Sequence, residues 1–120
     1  MTAFPIVAML GGAVALGAAN LGLRLRGERR PVLIGIHLLL GIGGLEVLVY
    51  FLKDINGGEG IAAGPYGNIA AGLLALAVFI GLISPLVAKE YPARSKAMLV
   101  AHVACGAVGA VTAVLWASSF

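Results

Sequence analysis

Four apolar runs, separated by short polar stretches, organise the chain: roughly Phe4–Leu23, Pro31–Leu52, Ile61–Val87 and Ala97–Ser118. Each holds the about 20 apolar residues that a helix needs to cross a hydrocarbon layer about 30 Å thick. The third is longer than that. Its Gly64-Pro65-Tyr66-Gly67 stretch predicts a loop, with the helix starting nearer Asn68. Frequent glycine and alanine do not argue against helix in a membrane, where small residues let helices or a flat cofactor approach the backbone. The pattern predicts an all-α membrane protein, with four transmembrane helices in an antiparallel up-and-down bundle and a single domain over residues 1–120.

Composition sharpens this picture. Hydrophobic residues make up 61% of the chain and charged ones 11%, too little charge to cover a water-exposed surface. The formal charge of +3 does not point to nucleic acid, because the basic residues sit in short loops between apolar runs. That placement reads as membrane orientation and contact with anionic lipid headgroups. The first run has no lysine or arginine before it and four arginines after it, the reverse of a secretory signal, and reads as a retained span.

Arg24, Arg26, Arg29 and Arg30 occupy the first loop, and Lys89, Arg94 and Lys96 the third. Lys53 alone lies in the second, beside Asp54 and Glu59. By the positive-inside rule the first and third loops are cytoplasmic and both termini lie outside, periplasmic if the membrane is a bacterial inner membrane. Tyr50, Tyr66 and Trp116 then fall near the outer interface, where an aromatic belt is expected.

Candidate chemistry rests on the chain's two histidines. His37 lies six residues after Pro31, and His102 six residues after Lys96. Both spans run from the basic loops outward, so both imidazoles sit roughly 9 Å in from the same end. In an up-and-down bundle the second and fourth helices are diagonal, which lets the two face each other across the axis. Their surroundings repeat as His37-x-x-x-Gly41-x-x-Gly44 and His102-x-x-x-Gly106-x-x-Gly109. At about 100° per residue, each histidine shares its face with two glycines, leaving room for a planar macrocycle. Facing imidazoles commonly fill both axial positions of a haem iron, an arrangement that favours electron transfer. The competing reading is close helix packing, with each imidazole bonded to a backbone carbonyl or a hydroxyl.

An offset of 65 residues carries His37 onto His102, as a duplicated helix pair would. The same offset places Gly11 and Gly12 on Leu76 and Ala77, so the first and third spans support a repeat poorly. Glu46, nine residues after His37, falls on the opposite side of its helix and outside the proposed site. Cys105 has no second cysteine to pair with. Nucleophile triads, phosphate loops and zinc spacings are absent from the sequence.

With histidines on its second and fourth helices, the chain resembles the small membrane cytochromes b, in particular compact relatives of cytochrome b561 and the haem-anchoring subunits of respiratory complexes. The resemblance covers the whole chain in architecture and the two H-x-x-x-G-x-x-G segments in motif. It implies one haem b per chain, with His37 and His102 as axial ligands. It further implies electron transfer within a larger respiratory or photosynthetic complex or a homo-oligomer, with quinone as a candidate donor or acceptor. Cytochrome b561 proper has four ligand histidines and two haems, whereas one pair here allows one haem near one surface. Two other readings stand beside this one. One is an accessory membrane subunit that binds lipid, quinone or pigment without redox chemistry. The other is a small proton-coupled transporter, which resembles this chain in size but carries its glutamate in the first helix.

Overall fold

A computed structural model describes residues 3–57 and 64–119, and over them the protein is four long helices. These are α1 (Phe4–Leu25), α2 (Pro31–Gly57), α3 (Gly64–Glu90) and α4 (Ser95–Ala117), with a 3₁₀ turn at Pro92–Arg94 leading into α4. Each belongs to a span of 22 to 26 residues that is long and apolar enough to cross a membrane, the fourth running from Pro92 through α4. The exterior suits that setting: Leu39, Leu86 and Leu115 are about 66–71% exposed on the outer faces. Among the described residues no polar or charged side chain belongs to the buried core.

Prolines mark the helix starts. Pro5 and Pro31 open α1 and α2, where a missing N–H costs nothing. Pro65 does the same for α3, so the Gly64-Pro65-Tyr66-Gly67 stretch is the first turn of a helix and not the loop its composition predicts. Gly27 closes α1. Its φ of 75° lets the chain reverse while the N–H of Glu28 donates to the Leu23 carbonyl at 2.8 Å.

Successive helices are neighbours, and α1 also packs against α4, which closes the antiparallel bundle and leaves α2 and α4 diagonal. Contact is closest within each hairpin, α1 with α2 and α3 with α4. The two hairpins repeat each other. An offset of 64 carries α1 onto α3, matching Ile6 to Ala70, Leu10 to Leu74 and Ala13 to Ala77, all buried. An offset of 65 carries α2 onto α4, matching Leu48 to Ala113, Phe51 to Trp116 and Leu52 to Ala117, again all buried. The duplication that one fixed offset obscured is therefore present in the packing. One extra residue lies between Gly81 and His102 compared with Gly17 and His37.

All the residues of the core proper lie in the half of the bundle that holds the termini, from the level of Ala13 and Ala77 outward. At its far end Phe51 and Trp116 meet edge to face across the axis, with centroids 5.7 Å apart and an interplanar angle of 84°. Trp116 is 8% exposed, so it fills the core and takes no place in the interfacial belt expected for it. A glycine allows this: a Cβ on Gly67 would lie 2.8 Å from the Trp116 ring. Tyr50 and Tyr66 stay on the surface.

Candidate functional site

Toward the basic end of the bundle the same repeat brings the two histidines together. His37 on α2 and His102 on α4 face each other across the axis, with ring centroids 6.0 Å apart and planes at 80°. Each is held by the preceding helix of its own hairpin. His37 Nδ1 donates to the Ala13 carbonyl at 2.7 Å, and His102 Nδ1 to the Ala77 carbonyl at 2.7 Å. A carbonyl oxygen has no proton to give, so in the neutral ring the proton is on Nδ1 and the lone pair on Nε2.

One turn beyond each carbonyl stands a glycine that admits the ring. A Cβ on Gly17 would meet His37 Cε1 at 3.0 Å, and one on Gly81 would meet His102 Cε1 at 2.8 Å. The unit is thus an alanine carbonyl, a glycine four residues later and a histidine on the next helix, built twice. Sequence reasoning missed Ala13, Gly17, Ala77 and Gly81. Their signal is an Ala-x-x-x-Gly spacing that recurs at offset 64 and not 65.

The four glycines expected to clear space beside the histidines divide into two kinds. Gly41 has open space around it, and only the Ala77 Cβ comes near Gly106, at 3.8 Å from a Cβ placed there. Gly44 and Gly109 are taken up by packing. A Cβ on Gly44 would lie 2.6 Å from Leu10 Cδ2, and one on Gly109 would lie 3.0 Å from Leu74 Cγ. Glu46 is exposed on the outer face of α2, away from the pair. Cys105 is a half-buried free thiol one turn from His102. Asn20, one turn from Gly17 toward the basic end, donates through Nδ2 to the Leu33 carbonyl at 3.4 Å. Its Oδ1 is buried without a donor, the single such side-chain atom among the described residues.

No family model, curated protein or solved structure matches this chain. A bare metal ion in a protein takes three or four side-chain ligands, and among the described residues no group of three histidine, cysteine or carboxylate side chains could hold one. Two imidazoles suit a metal that brings its own equatorial ligands, which is what a macrocycle does. The two ring centroids lie 6.0 Å apart across the axis. The donor set of two facing imidazoles is the one such a group takes.

Proposed function

We propose that this protein is a membrane b-type cytochrome in which His37 and His102 bind one haem at its two axial positions. The observation that supports it most is the pairing of two identically anchored imidazoles on diagonal helices. A carbonyl bond at Nδ1 is the usual means of orienting a ligating histidine and raising the basicity of Nε2. When bound between these two imidazoles, the haem would supply a one-electron couple suited to electron transfer. Ala13 and Ala77 fix the tautomers, Gly17 and Gly81 admit the rings, and Gly41 and Gly106 leave the adjoining helix faces free of side chains. One haem near one end of the bundle serves electron exchange at that surface. The chain then acts as an electron-transfer subunit of a respiratory or photosynthetic assembly or of a homo-oligomer, with quinone as a candidate donor or acceptor.

By the positive-inside rule the basic turns face the cytoplasm, so the histidines lie toward the cytoplasmic side and both termini outside, as in a bacterial inner membrane. A second reading, an accessory subunit without redox chemistry, draws on Gly44 and Gly109. Both serve ordinary helix packing against leucines, and a histidine bonded to a carbonyl is also compatible with packing alone. A dithionite-reduced minus oxidised spectrum with a pyridine haemochrome assay separates the two.

A further inference from the structure

The four arginines of the first basic turn do different work. Arg24 reaches across to α4, donating from Nη2 to Ser95 Oγ at 2.9 Å. Arg26 and Arg30 line a surface depression of about 530 Å³ whose floor is Ala19, Gly22 and Leu23, and Arg29 does not line it. Residues 19, 22, 23 and 26 share one face of α1, and the turn at Gly27 brings Arg30 back beside them. The depression thus runs from two guanidinium groups along an apolar floor that reaches about 10 Å up the helix from Arg26. Glu28 is the one acidic side chain of this turn, and it is not among the lining residues. A second depression, on α4, has a single cation, Lys96, above a floor of alanine and valine.

We propose that the Arg26–Arg30 groove is a binding site for one anionic phospholipid. Two guanidinium groups match the charge and the hydrogen-bonding oxygens of a phosphodiester, which a single lysine matches as a point charge only. The glycine and alanine floor takes the upper part of an acyl chain. Charge complementarity at one end and an apolar, lipid-facing floor at the other select a lipid over a soluble anion. This site does not depend on the histidines or on what they bind.

Native mass spectrometry of the full chain in mild detergent tests it, with equimolar phosphatidylglycerol and phosphatidylcholine offered together. We expect one phosphatidylglycerol retained per chain in preference to phosphatidylcholine. Arg26→Gln with Arg30→Gln should weaken its retention by about thirtyfold, on the usual contribution of a basic residue at a membrane surface. Arg29→Gln removes the same type of charge from the same turn and should leave retention unchanged. Gly22→Leu should weaken retention by filling the floor, and the substitution is tolerated sterically because a Cβ there meets nothing within 4 Å. Equal retention of both lipids would overturn the proposal. So would a loss in Arg29→Gln as large as in the double variant, or displacement of the lipid by excess inorganic phosphate.

Discussion

Each imidazole at the centre of this protein is fixed at two points, a carbonyl that accepts from Nδ1 and a glycine that makes room for Cε1. Both can be tested by single substitutions. On the proposed reading, His37→Ala and His102→Ala should each weaken haem retention on purification and abolish the low-spin bands, since each removes one of the two imidazoles. Glu46→Gln, on the opposite side of α2, should leave the haem spectrum unchanged. The glycines make a sharper test. Gly81→Ala places a methyl group 2.8 Å from the His102 ring, so ring or helix must move, at a cost of about 1–3 kcal/mol. Gly41→Ala introduces the same methyl group into open space and should cost far less. Denaturant titration in mixed micelles compares the two, and Gly81→Ala alone should also perturb any low-spin bands.

At the scale of the helices, the apolar runs and basic turns were readable directly, because crossing a bilayer leaves little latitude in length or charge placement. What escaped was what depends on partners. Gly64-Pro65 carries turn signals in isolation, yet a proline at the first turn of a helix loses no hydrogen bond, and α3 begins there. Trp116 has the composition of a belt residue but is drawn inward by Phe51 and by the space at Gly67. Its burial carries a prediction. Trp116→Ala should destabilise the bundle by as much as about 3 kcal/mol in detergent unfolding, more than truncation of the exposed Leu115. The emission of Trp116, the one tryptophan in the chain, should also resist aqueous quenchers. Of the candidate site, the two histidines, their common depth and their diagonal placement could be read from spacing. Their carbonyl and glycine partners could not, because one extra residue between Gly81 and His102 makes the offset 64 before it and 65 after it.

The whole molecule is two similar hairpins set side by side, with a ring pair at each of two levels on the shared axis: His37 with His102, and Phe51 with Trp116. One level lies among the tightly packed residues of the terminal half. The other lies toward the basic end, where no described side chain is fully buried. Its orientation can be checked with single cysteines in a Cys105→Ala background. Arg29→Cys should react with a membrane-impermeant thiol reagent in inverted vesicles and stay protected in intact cells, and the opposite pattern would reverse the assigned topology. The first measurement to make remains the reduced minus oxidised visible spectrum of the purified protein, expressed with haem in supply and followed by a pyridine haemochrome assay. Sharp low-spin b-haem bands, at about one haem per chain and lost in His37→Ala and His102→Ala, are the expected result. A featureless spectrum from the folded wild-type protein would contradict haem ligation and leave the two histidines as a packing device between hairpins.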